Sequence, residues 1–578
     1  MSKALLLTAF FGLAFIVNAI ASEWDVGADR WTATDALGRR LPGFKECGPP
    51  KKDKFVGIFY FTWLGQHSTT GPWDMTKIVA ANPTDPKWGP EQHFHHWGES
   101  EVGYYVSTDE WVIRRHCRML TQAGIDTLIF DVTNSFTYAN VYLKVCEIYR
   151  QMRAEGIATP QMCFMAHSNE EQTVQKLYDE FYSKDLYPEL WFKWPFDGAQ
   201  GRQGKPLILA KPDNMPQHLK DFFTFRESWA WHDPNGWFGD GRDKWAWLDS
   251  WPQQPGRHEG KAEQISVSVA QHPMTNIGRS HYDNKQPDPA SFRTAEGPYF
   301  AQQWKRALEV DPQFIFITGW NEWVAQRFLA DGVTNLMTGR KLEKGETFFV
   351  DTYSQEYSRD IEPMKGGHTD NYYYQMIDGI RRFKGVRPPE KSSWPKTILI
   401  DGRFDDWKSV RPEFRDWVGD TEHRDSQGWG DAGRYVNKTG RNDFVRLKVA
   451  YDAKNVYFYA ETRDAITSAK DPNWMLLFID TGPSTGLRAG WNGYDFLVGK
   501  ASGSWPHLTH LPNPSYAVSG NKMELAIPRS ALGLVGKPVK LDFHWADNMQ
   551  RTDDLTEFSV SGDSAPDRRF NYRFEEKT

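Results

Sequence analysis

Across residues 54–384, short apolar runs alternate with longer stretches in which apolar residues recur at helical spacing. Runs at 55–61, 127–131, 161–166, 206–210, 222–225 and 264–270 read as strands buried on both faces, the kind a parallel sheet contains. Helices are predicted at 108–123, 138–155, 170–182, 298–310 and 369–383. The first opens with capping chemistry at Ser107, Thr108, Asp109 and Glu110 and stops at Gly124; the second stops at Gly156. Another apolar run begins at 314 and ends abruptly in Trp320, Asn321, Glu322 and Trp323. A polar-aromatic segment at 347–353 precedes the last helix.

About eight strand–helix units predict an α/β fold: a (β/α)8 TIM barrel with enlarged loops rather than an open sheet. No Gly-rich phosphate fingerprint follows the first strand, which argues against dinucleotide binding. Residues 385–396 have the composition of a linker. Beyond them, 445–451, 456–460, 474–479, 522–527 and 540–545 read as short strands between turns, so 397–578 is expected to form an antiparallel β-sandwich. The barrel then occupies 54–384, preceded by an N-terminal extension at 22–53.

Residues 1–21 have the pattern of an export signal: Lys3, an apolar stretch over 4–17, then Ala19, Ile20 and Ala21. A secreted or periplasmic protein is expected. The stretch is short for a bilayer span, and no later segment is long and apolar enough. The formal charge of −6 is modest for 578 residues and no basic block occurs, which argues against nucleic-acid binding. Aromatic residues make 15% of the chain. Trp229, Trp231, Trp237, Trp245, Trp247 and Trp251 fall in polar, loop-like sequence, where a carbohydrate-handling surface explains them better than packing. Cys47, Cys117, Cys146 and Cys163 lack zinc spacing and read mainly as buried thiols; one disulfide, such as Cys117 with Cys146, is compatible with export.

Glu322 is the leading catalytic candidate, because it ends a buried strand where parallel barrels keep their chemistry. A helix cap is the plain alternative, but a cap does not need flanking indoles. Asp131 also ends an apolar strand and is the first choice for the second carboxyl group that glycosidic cleavage needs. Glu99 lies with Glu101 in a long loop rich in histidine and aromatic residues, where substrate contact and a compact structural loop are equal readings. Trp63, His67, Asn134, His272, Trp320, Asn321, Trp323 and Glu362 are candidate substrate contacts, with Trp63, Trp320 and Trp323 as the sugar-facing surface. For Asp360, beside Arg359, and for Glu362 the structural reading outweighs the catalytic one. Metal binding by His93, His95 and His96 is disfavoured, since adjacent histidines point different ways.

These residues resemble the clan that contains glycoside hydrolase family 99 (endo-α-mannosidases), family 71 (α-1,3-glucanases) and the WbsX-like family. The resemblance rests on Trp320 to Trp323, on Phe59, Tyr60, Phe61, Thr62 and Trp63, and on Ile361, Glu362, Pro363 and Met364. In endo-α-mannosidases a second catalytic Glu follows three residues after the first; here that place holds Ala325. Asp131 or Glu99 would then replace the lost acid, or the barrel would be a non-catalytic sugar binder. The C-terminal region resembles carbohydrate-binding module family 9 through residues 398–407, 449–459 and 543–548. That resemblance implies calcium and sugar binding there, or a sandwich that buttresses the barrel. The expected activity is hydrolysis of a polysaccharide or oligosaccharide without a required cofactor. A polysaccharide lyase ranks last, because the basic cluster such enzymes use on uronates is missing.

Overall fold

The computed structural model describes residues 24–196, 204–230, 244–271, 275–332, 342–482, 493–502, 505, 508–552 and 554–577. The leader pattern, His272, Trp231 and Trp237 lie outside the described residues.

Eight strands run parallel to their neighbours: β1 (Phe55–Tyr60), β2 (Thr127–Asp131), β3 (Gln161–Met165), β4 (Leu207–Leu209), β5 (Thr224–Ala230), β6 (Lys244–Leu248), β7 (Lys261–Ser268) and β8 (Phe314–Thr318). They follow chain order, and β8 returns to pair with β1. A ninth strand, Gly256–His258, adds antiparallel to β7. The sheet is barrel-like and nearly closed. At the seam between β6 and β7 the Gln264 carboxamide stands in for a ladder: its Oε1 accepts from Ala246 N at 3.1 Å and its Nε2 donates to Ala246 O at 2.7 Å.

Six helices follow strands: α1 (Glu110–Ala123), α2 (Ala139–Ala154), α3 (Glu170–Leu177), α4 (Gln217–Phe222), α5 (Pro298–Val310) and α6 (Asn371–Lys384). Strand periodicity divides the core accordingly. Phe59, Ile129, Met165, Leu209, Trp245 and Phe316 fill the inside of the sheet. Ile58, Leu128, Phe164, Ile208 and Ile317, of opposite parity, pack in the larger core that the helices share.

Two expectations are corrected here. Residues 244–248, read as a loop with sugar-facing indoles, are the strand β6, and Trp245 and Trp247 are buried in the barrel. The segment at 347–353 is no barrel strand. Its strand Thr347–Phe349 joins Val324–Leu329, Phe94–His96 and Trp73–Asp74 in a separate four-stranded sheet grown from the loops after β1 and β8.

The C-terminal region holds two sheets, with cores that meet through pairs such as Phe458 with Phe543 and Phe444 with Trp545. Their described strand pairs are antiparallel, except Phe496–Val498 with Thr509–Leu511. The N-terminal strand Thr32–Ala33 pairs with Phe570–Glu575, so the extension before the barrel completes the C-terminal unit. Ion pairs fasten that unit to the barrel around α1: Arg424 to Asp109 at 2.8 Å, and Arg118 to Glu422 at 2.9 Å. Arg568 also holds Glu101 at 2.8 Å, in the loop that precedes α1. All four cysteines are free thiols, so Cys117 and Cys146 are not bonded. No described helix is long and apolar enough to cross a membrane.

Candidate active site

Asp131 is the last residue of β2 and shares the inward parity of Ile129, which places its carboxyl group in the C-terminal mouth of the sheet. Thr133 fixes one of its oxygens with its backbone N–H at 3.0 Å and its hydroxyl at 2.8 Å. Burial drives the Asp131 carboxyl above its ordinary range; the Asp351 charge adds to this, while bonds from Thr133 and the Trp63 indole offset part of it.

Trp63, beyond β1, starts an aromatic wall. Its ring meets Phe61 at 5.2 Å and Phe94 at 4.9 Å. His67 stacks on Phe94, donates to or accepts from the Tyr138 hydroxyl at 3.0 Å, and meets the edge of Phe136. Phe136 is 57% exposed, which is unusual for a phenyl ring and suits a face waiting for a partner. Asn134 lies exposed on the same loop.

Glu322 reaches the mouth through a local device. Gly319 ends β8 at φ +95°, and a Cβ there would stand 2.1 Å from the Arg359 carbonyl oxygen. Glycine therefore lets residues 358–362 run directly beside the end of β8. That approach brings Asp360 Oδ1 to the Glu322 N–H at 2.7 Å and Arg359 Nη2 to Glu322 Oε2 at 2.6 Å. The same Nη2 lies 3.8 Å from Asp351 Oδ1, so Arg359 stands between two carboxylates. Its other nitrogen, Nη1, donates to the carbonyls of Gln271 and Asp351, and the guanidinium covers the Trp247 ring at 5.0 Å. Burial pushes the Glu322 carboxyl well up, Arg359 pulls against it, and Asp351 and Asp360 push further. Asp360 is raised by burial to about 6.

Asp351 was not legible as a site residue. It follows Phe349, which packs with Ala325 and Met75 in one small apolar cluster. Strand Thr347–Phe349 thus lies beside the position where the resembling enzymes carry their second Glu, and delivers a half-exposed carboxylate two residues later. On the neighbouring side of the mouth, Glu170 at the start of α3 is raised to about 7 by burial, with the Glu227 charge adding to it.

Several expected contacts sit elsewhere. Trp320 is fully buried, edge-on to His116, because the Gly319 turn sends it toward the helices. Trp323 is buried too, stacked on Trp97 at 4.4 Å with its indole N–H on Glu362 at 2.6 Å. Neither indole presents a face to a sugar. Asn321 brackets the Phe61 backbone, accepting from its N–H at 2.9 Å and donating to its carbonyl at 3.2 Å. Glu362 anchors a buried network with Ser100, Tyr105 and Trp323. Glu99 is held between Lys77 and Lys365, each at 2.6 Å; burial raises its carboxyl but the two lysines outweigh it and leave it lowered. His95 and His96 are buried in the strand Phe94–His96.

No protein-family model matches the chain, and no curated protein matches it. Among solved structures, two of the family 99 endo-α-mannosidase from Bacteroides thetaiotaomicron align with it. The complex with bis-tris-propane is 15% identical, covers 58% of this chain and 98% of its own, and has a TM-score of 0.34. The other is 17% identical, covers 58% and 99%, and has a TM-score of 0.33.

Proposed function

We propose that the chain is an exported glycoside hydrolase, acting on a polysaccharide or oligosaccharide at the C-terminal mouth of a (β/α)8 barrel that a β-sandwich supports. The observation that carries this reading is the convergence of Asp131, Glu322 and Asp351 about one buried arginine, beside an exposed aromatic wall. Glycosidic cleavage needs one carboxyl group that still holds a proton near neutral pH and another that is ionised. Burial supplies the first condition at Glu322 and Asp131. We assign Glu322 as general acid and Asp131 as its partner, with Asp351 as the carboxylate that takes the place left by Ala325. Trp63, His67 and Phe136 supply flat faces for the sugar rings. Water is the co-substrate and no cofactor enters the scheme.

A polysaccharide panel digested with wild type and Asp131→Asn tests this. New reducing ends from wild type, and a loss of about 10²-fold or more in the variant, support hydrolysis by these groups. An unsaturated, ultraviolet-absorbing product would identify a lyase instead. Sugar binding without any cleavage would identify a binding protein on a hydrolase barrel.

A further inference from the structure

A second concentration of acidic groups lies outside the mouth, where the C-terminal unit meets α1. Asp416 and Asp420 sit on the connection between strands Glu413–Arg415 and Arg424–Gln427, and Asp563 begins the strand Asp563–Ala565. One carboxylate oxygen from each of the three lies within 4.8 Å of the others. Asp416 is wholly buried, and neither its oxygens nor those of Asp420 meet a donor at normal hydrogen-bond geometry. Asp443 and Glu422 nearby each keep one buried oxygen without a partner.

The neighbouring donors are already engaged. Arg118 holds Glu422 at 2.9 Å and Arg463 holds Asp443 at 3.1 Å. Asp563 takes the backbone N–H groups of Phe444 at 2.6 Å and Ser564 at 2.9 Å. Buried carboxylates without partners are strongly disfavoured, and mutual repulsion at this spacing adds to the cost. A cation removes both penalties at once. The donor set is all oxygen, which selects a hard ion. Oxygens on opposite sides of a calcium ion stand about 4.8 Å apart, the span these three atoms fit within. A cavity of about 50 Å³, lined by Asp420, Glu422, Asp563 and Asp567, adjoins the group and leaves room for coordinating water.

We propose that Asp416, Asp420 and Asp563 bind one calcium ion, and that this ion orders the segment fastening the C-terminal unit to α1. The fastening contacts come from that same segment. Glu422 receives Arg118 and, through its carbonyl, the Trp111 indole at 3.1 Å; Arg424 holds Asp109. The site is independent of the sugar chemistry, and each can fail without the other.

The test uses the full chain stripped with EGTA and then titrated with CaCl2. Calorimetry is expected to give one site per chain with Kd about 10⁻⁴ M or tighter. The melting midpoint should rise by roughly 5 °C or more at saturation, with a smaller rise for magnesium. Asp420→Asn should lose both the heat and the calcium-dependent shift while keeping its far-ultraviolet circular dichroism. Absence of heat and shift in wild type at millimolar calcium overturns the proposal, whatever the variant does. So does an Asp420→Asn chain that binds calcium as wild type does.

Discussion

Replacing Arg359 with Met isolates the electrostatic design of the mouth. Both Arg359 and Glu322 are about 2% exposed and their charged atoms are 2.6 Å apart. Removing one member of such a pair leaves a buried charge uncompensated, which costs about 3–5 kcal/mol. Glu322 has a way out, because burial already raises its carboxyl and it can take up a proton. That places the expected loss near ~3 kcal/mol around pH 8. A carboxyl whose folded-state pKa is raised contributes its stability at low pH and loses it as pH rises through the folded value. The deficit in Arg359→Met should therefore shrink on acidification, to roughly half near pH 5. Urea unfolding followed by tryptophan fluorescence, at both pH values, measures it. The double variant Arg359→Met with Glu322→Gln removes the stranded charge as well, so it should be more stable than Arg359→Met alone. A loss below about 1 kcal/mol at pH 8, or a double variant worse than either single one, would refute the buried pair.

Gly319→Ala should cost about 2–4 kcal/mol and lower expression, because it combines a left-handed φ with a backbone clash; equal stability to wild type in the same urea assay would contradict the Gly319 geometry. Glu170 is raised to about 7 and is partly solvated, so Glu170→Gln should stabilise by only ~1 kcal/mol above pH 8 and be neutral near pH 4, as denaturation midpoints across that range will read. Phe136→Ala should weaken oligosaccharide affinity by roughly tenfold while leaving the melting midpoint within about 1 °C, since the ring is mostly exposed; unchanged affinity would remove it from the sugar wall.

Periodicity revealed most of the parallel sheet, because strands such as β2 and β8 are uninterrupted apolar runs bounded by polar loops. It failed at β6. Lys244, Trp245, Ala246, Trp247 and Leu248 carry large aromatics in a polar neighbourhood, and only the tertiary structure shows those rings filling a barrel. Position at a strand end gave Asp131 and Glu322, but the direction of the flanking indoles depended on the Gly319 turn, which one-dimensional pattern does not encode. Asp351 and Arg359 reach Glu322 from 29 and 37 residues away, through a sheet built of loops. The acidic group at Asp416, Asp420 and Asp563 joins residues almost 150 positions apart and has no local signature.

The most direct measurement compares reducing-sugar release and glycan binding for wild type and Glu322→Gln, on the oligosaccharide that a digestion panel selects. A hydrolase that uses this carboxyl group retains binding within about threefold and loses about 10³-fold in kcat. Cleavage at wild-type rate by Glu322→Gln would show that the chemistry does not run through the carboxyl group at the end of β8.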